Sequence, residues 1–272
     1  MTKRKSATTR REDRAKRSAY LILAIIGTIL LVVAGLYSKI YFARKSLNEV
    51  TLCPAESASL TILLVDVTDA MNVAQRQDFL NQLERLKNSI PRYGKLIVMK
   101  VDATAQHLLT PIIERGNPGT SRDEDDVTGN PARLQRLWDE QFDKPLDRAF
   151  EQILIASGAD ASPIIESIQS ATLTEFQKQA AEGKPRRLIV ASDLLQNTAD
   201  VSFYRGLPDP TIFIESPSFQ RSRTNLRGID VELWMLQRLD SRHTQPRALP
   251  DLWDRIITRQ GGNLDRIYTV SG

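Results

Sequence analysis

From Ala19 to Tyr37 the chain reads AYLILAIIGTILLVVAGLY, without a charged side chain. About 20 apolar residues are needed to cross the hydrocarbon core of a bilayer as a helix, so residues 19–38 are predicted to span a membrane. Past residue 58 the pattern becomes short apolar runs separated by longer amphipathic stretches, which signals a mostly parallel α/β sheet flanked by helices. Leu60–Val65 is apolar and rich in branched residues, as a strand covered on both faces must be. Phe79, Leu83, Leu86 and Ile90 recur at helical spacing and form one stripe, which Pro91 and Gly94 terminate. Lys95–Val101 is the second predicted strand, Arg187–Ser192 the third, Ile229–Leu236 the fourth and Arg266–Val270 a short last one.

Between these strands, Thr104–Asn130 is dense in turn formers and acids and is predicted to be a loop. Its acids at 123–126 lack the oxygen spacing of an EF-hand and read as a solvated run. Helices are predicted over Pro131–Phe142 and Pro145–Ala156, each opened by a proline suited to a first helical position. A further helix begins at Ser162-Pro163, where the serine is placed to cap. A last one carries Leu252, Trp253, Ile256 and Ile257 and is stopped by Gly261-Gly262. The resulting organisation is a basic tail (1–18), a transmembrane helix (19–38), a connector (39–57) and one α/β domain (58–272), with no internal repeat.

Charge sharpens this division. The chain carries +4 overall, but residues 1–42 hold nine Lys or Arg against Glu12 and Asp13, leaving 28 basic and 31 acidic side chains beyond them. The folded part is mildly acidic, so it lacks the electrostatic footprint of a nucleic-acid binder. The tail is too polar to build a core and is expected to stay disordered or to lie on anionic lipid. Its basic residues precede the apolar helix, and by the positive-inside rule they place the N-terminus in the cytoplasm and the domain in the periplasm or outside the cell. The basic start also fits a cleaved signal peptide, but the apolar stretch exceeds the usual length and no small-x-small cleavage site clearly follows. With one cysteine, Cys53, and two histidines, His107 and His243, an intramolecular disulfide is impossible and Cys/His chemistry has little material.

In open parallel sheets, ligands bind beyond the carboxyl ends of the strands. The first strand runs into Asp66-Val67-Thr68-Asp69-Ala70 and the third into Ser192-Asp193, placing two carboxylates at one edge, with Ser162 at a helix start. Two carboxylates with two hydroxyls suit a hard cation such as Mg²⁺. The bland alternative is that both aspartates simply cap the helices that follow.

At these residues the chain resembles the von Willebrand factor A (vWA) domain family, whose first strand ends in Asp-x-Ser/Thr-x-Ser and whose later strand ends in aspartate. The resemblance implies a Rossmann-like sheet and a metal-ion-dependent adhesion site made by Asp66, Thr68, Ser162 (for the family's threonine) and Asp193. The Mg²⁺ ion there is completed by a carboxylate of a protein partner. Position 70 is alanine where the family has a second serine. The implied function is partner binding rather than turnover, by a membrane-tethered module. A scaffold subunit of an envelope complex with a dead ion site, and a Mg²⁺-dependent phosphohydrolase using Asp66 as nucleophile, are the alternatives; Thr68 departs from the Asp-x-Asp that the latter requires. Tyr204–Gly228 is a candidate partner surface if it borders the site, and otherwise a surface insertion.

Overall fold

The computed structural model describes residues 7–43, 51–52, 56–67, 71–103, 108–125, 129–155, 160–177, 183–238 and 245–271. The chain divides into two compact units, Met1–Ser46 and Leu47–Gly272.

The first unit is a single helix, α1 (Ala7–Ala43). Its segment Ala19–Lys39 is long and apolar enough to cross a membrane, by length and composition. Inside that segment the Thr28 hydroxyl donates back to the Ala24 carbonyl at 2.9 Å, so it adds no unsatisfied donor to an apolar stretch. The helix starts well before the apolar residues, within the tail expected to be unstructured. Ala, Arg, Glu and Lys are good helix formers, and a helix already nucleated by the apolar stretch propagates into them at little cost.

The second unit is a six-stranded sheet with helices on both faces. Its strands are β1 (Leu60–Val65), β2 (Lys95–Lys100), β3 (Ile113–Gly116), β4 (Arg186–Ser192), β5 (Asp230–Leu236) and β6 (Asn263–Val270), in the order β3-β2-β1-β4-β5-β6. All pairings are parallel except β2 with β3. Every residue of β1 is buried, as the continuous apolar run requires. Leu60, Ile62 and Leu64 join one core with α5 (Ile164–Ala171) and α8 (Leu249–Arg259), which presents Trp253. Leu63 and Val65 join the other with α2 (Val73–Ser89), α3 (Pro131–Trp138) and α4 (Lys144–Ile153).

Three predicted elements change. The two helices after residue 130 form one run, joined through a π-helical stretch, Asp139–Asp143, and ending at Ile153 instead of Ala156. The predicted loop 104–130 contains β3, four residues long and half exposed, with Glu114 pairing Lys95 across the edge at 2.7 Å. The segment after β4 folds into two short helices, α6 (Pro210–Glu215) and α7 (Pro217–Ser222). The Asp209 carboxylate accepts from the amides of Thr211 and Ile212, and the Ser216 hydroxyl accepts from that of Phe219.

Two contacts fix α2 to its neighbours. Phe79, fully buried, meets Phe150 and Trp234 edge-on with ring centroids 6.3 and 5.8 Å away. Lys87 has no exposed side-chain surface and lies among Glu84, Asp143 (2.5 Å) and Asp147 (2.6 Å). Burial alone lowers a lysine's pKa, but the three acids outweigh it and hold the ammonium above its ordinary value. Replacing Phe79 by alanine is expected to cost about 3–5 kcal/mol of stability, read as a fall in the urea midpoint at unchanged m-value. A cost under about 1 kcal/mol would show that the aromatic trio does not hold this layer.

Candidate functional site

The strand order reverses at β1. β2 lies on one side of it and β4 on the other. The connections leaving the carboxyl ends of β1 and β4 therefore diverge to opposite faces, which opens a crevice between them. Asp66 follows β1 and Asp193 follows β4, so both predicted carboxylates stand at the switch point. The chain also crosses this rim between α4 on one face and α5 on the other, which brings Ser162 to it. Thr68, together with Asp69 and Ala70, lies outside the described residues, as does Cys53.

The side chains converge. Asp66, 3% exposed, accepts on Oδ2 from the hydroxyls of Ser162 (2.6 Å) and Ser192 (2.9 Å). Ser162 is paired through its backbone with Asn197 in both directions, at 2.8 and 2.9 Å, which clamps its loop against the one after β4. Asp193, 7% exposed, accepts on Oδ1 from the Leu195 amide (2.9 Å) and on Oδ2 from the Tyr204 hydroxyl (3.0 Å). Arg238, two residues past the end of β5, places Nη1 3.3 Å from the same Oδ2 and 2.6 Å from the Tyr204 hydroxyl, its guanidinium over the Tyr204 ring at 5.1 Å.

A second tier of bonds holds these groups in place. Gln245 donates to the carbonyls of Asp193 (2.6 Å) and Leu236 (3.0 Å) and accepts from the Arg238 amide (3.1 Å). Gln75, at the start of α2, donates to the Gln237 carbonyl. Leu194 adopts a left-handed backbone, φ 62°, a conformation that costs a non-glycine residue about 1 kcal/mol or more. Its amide donates to the Ser192 hydroxyl oxygen and its carbonyl accepts from the Trp253 indole, both at 2.9 Å. The turn that aims Asp193 is thus held by the core beneath it.

Neither aspartate is a plain cap of the next long helix. Asn72 caps α2, accepting from the Gln75 amide at 2.7 Å in a capping box. At α5 the expected cap differs from the observed one. The Ser162 proton goes to Asp66, and the Ile165 amide is met instead by Gln196 Oε1 at 3.0 Å. Ser192 as a bridging hydroxyl, Arg238 and Gln245 were not among the predicted site residues, and Tyr204 entered only as the first residue of the candidate partner surface, which it brings to the site through Asp193. Arg238 was detectable by the rule used for the aspartates, since it too follows the carboxyl end of a strand.

The donor set was tested against the Mg²⁺ ion that the resemblance implies. Asp66 and Ser162 suit it, because a hydroxyl that donates to a carboxylate keeps its lone pairs for a cation. Asp193 does not, since its outer oxygen already carries a guanidinium and a phenol. Position 70 supplies no side-chain oxygen, so among the described residues Asp66 and Ser162 are the predicted ligands whose oxygens suit the ion.

Burial pushes the Asp193 carboxyl up from 3.8 to about 6. The Leu195 amide opposes this, the Asp66 charge adds to it, and Arg238 and Tyr204 oppose it. A carboxyl whose folded value is raised favours the fold most below its unfolded value, and that contribution disappears as pH rises through about 6. Wild type is therefore expected to lose up to about 3 kcal/mol relative to Asp193→Asn between pH 4 and pH 7. Parallel denaturant midpoints for the two proteins across that range would refute it.

No protein-family model matches the chain, and no curated protein sequence does. Two solved structures align with most of it at low similarity. One is the conserved hypothetical protein BatB from Bacteroides thetaiotaomicron, 13% identical, covering 79% of this chain and 91% of that one, with a TM-score of 0.43. The other is an aerotolerance-related membrane protein from Bacteroides fragilis NCTC 9343 carrying multiple mutations to serines, 10% identical, covering 79% and 92%, with a TM-score of 0.36.

Proposed function

We propose that the chain is a membrane-anchored protein-interaction module that docks a partner at the carboxyl-end rim of its sheet, with α1 as the anchor and the domain in the periplasm or outside the cell. The observation that carries this reading is the convergence of Asp66, Ser162, Ser192 and Asp193 at the switch point, where three separate connections are bound into one surface. Large apolar side chains stand exposed on connections that begin or end at the rim, among them Val73, 88% exposed, at the start of α2, and Ile155, 69% exposed, just past α4. Solvent-facing apolar residues around an ordered polar centre are what a partner's contact surface buries.

Binding is favoured over turnover by the state of Asp66. A nucleophilic carboxylate needs a free oxygen facing its substrate, whereas Asp66 is buried and its Oδ2 is engaged by two hydroxyl protons. The vWA resemblance points the same way, toward a partner protein at this rim. The partner is taken to be a membrane or envelope protein, because the anchor confines the domain to a membrane surface.

Crosslinking the tagged full-length chain in membranes is the direct test. Val73→Glu and Ile155→Glu are expected to weaken partner capture at least tenfold with unchanged Tm, and Asp66→Asn is expected to weaken it by loosening the rim. Capture at wild-type levels in all three variants would remove the rim from the interaction. For the orientation, an alkaline phosphatase fusion after Gly272 is expected to be active and a fusion of a cytoplasmic reporter there silent. The opposite pattern would invert the assignment.

A further inference from the structure

We propose that Arg238 is the resident cation beside Asp193, one of the carboxylates to which the resemblance assigns a metal ion, so that the rim is organised without a divalent metal. The inference rests on the rim being the functional site and concerns what holds it together.

Four independent features agree. Arg238 reaches the oxygen of Asp193 that points away from the Leu195 amide, and it does so from a side chain that is only 13% exposed. A guanidinium at that depth is placed by packing rather than by chance contact, since an arginine is seldom buried without a partner. Tyr204 completes the arrangement from both directions: its hydroxyl donates to Asp193 at 3.0 Å and accepts from Arg238 at 2.6 Å, while its ring lies under the guanidinium. The backbone of Arg238 is pinned as well, by Gln245, which also holds the Asp193 carbonyl. Finally, position 70 is alanine, where the resemblance implies a serine ligand to the ion.

Charge decides between the two cations. Asp66 and Asp193 together carry two negative charges, and Arg238 reduces them to one. A divalent ion entering beside the guanidinium meets a like charge a few ångströms away, a repulsion of a few kcal/mol at the effective dielectric of a partly buried site. It also has to strip waters it releases reluctantly. An arginine is already desolvated by the fold and is never deprotonated. The consequence for recognition is that, among the described residues, the group of Asp66, Asp193 and Arg238 keeps one net negative charge. It has no vacant coordination position for a partner carboxylate and instead suits a basic or neutral partner side chain.

The test uses the full-length chain in detergent at pH 7.5. Exchanging EDTA for millimolar Mg²⁺ is expected to leave the wild-type Tm unchanged. A Mg²⁺-dependent rise that Asp193→Asn abolishes would overturn the proposal, as would one equivalent of Mn²⁺ retained by wild type and lost by that variant. Arg238→Met is expected to lower the Tm by about 5 °C in the wild-type background and by less than half of that beside Asp193→Asn. Equal shifts in both backgrounds would show that the two side chains do not act as a pair. Should Arg238→Met not fold, Tyr204→Phe gives the same comparison, and the metal measurements on wild type need no variant. None of these readouts depends on a partner, so the interaction reading and this inference fail separately. If both hold, partner capture survives EDTA.

Discussion

A parallel sheet has to return each chain crossing to the same starting edge, and the crossover helices must lie on one face or the other. Here the reversal of strand order at β1 sends α2 to one face and the helices after β4 to the opposite one. That constraint makes the gap between the ends of β1 and β4, and nothing local to Asp66 or Asp193 creates it. The residues that follow are answers to it. Polar backbone exposed in a crevice needs partners, and Ser162, Gln196 and Gln245 are placed to supply them. The left-handed turn at Leu194 is tolerated because the Trp253 indole, itself buried in the core, holds its carbonyl.

Two carboxylates in a crevice are costly, and the cost is met by unequal means. Asp66 is compensated by hydroxyl protons, which stabilise its charge without adding a cation. Asp193 meets the combined weight of burial and of Asp66, and takes an arginine, a phenol and a backbone amide. The asymmetry gives the two groups separate tasks. Asp66 ties the loop after β1 to those carrying Ser162 and Ser192, and Asp193 ties the loop after β4 to Tyr204 and the end of β5. Hydrogen bonds and an ion pair thereby link four connections at the rim.

How much of this was legible in the sequence depends on how many neighbours an element needs. β1, β2, β4 and β5 were readable to within about a residue, because a strand buried on both faces is apolar throughout and its pattern is its own. β3 was not, since Ile113–Gly116 is a short edge strand, half polar, whose existence depends on pairing with β2. α6 and α7 were missed although Asp209-Pro210 and Ser216-Pro217 both carry the cap-then-proline signal; six-residue helices are too short to show a periodicity. The site divides along the same line. Asp66, Ser162 and Asp193 were found because position at a strand or helix end is a local property. That Arg238 and Tyr204 face Asp193 is not local, and only the folded order of β4 and β5 brings them together.

The wider pattern of buried charge bears on which cation the rim uses. Lys87, without exposed surface, is enclosed by Glu84, Asp143 and Asp147. Glu232, in the middle of β5, lies between Arg187 at 3.4 Å and Arg266 at 2.7 Å. In each case a charge that folding removes from water meets an opposite charge of the chain itself, which avoids the penalty of an unpaired buried ion. Asp193 with Arg238 follows the same rule at the switch point, where open parallel sheets bind their ligands. An internal cation also differs from a metal in what it demands of the surroundings: it is present from the moment the chain folds, at any ion concentration. On the proposed reading, a domain organised in this way has its contact surface complete before any partner arrives, and partner choice then falls to the shape and charge of the loops around it.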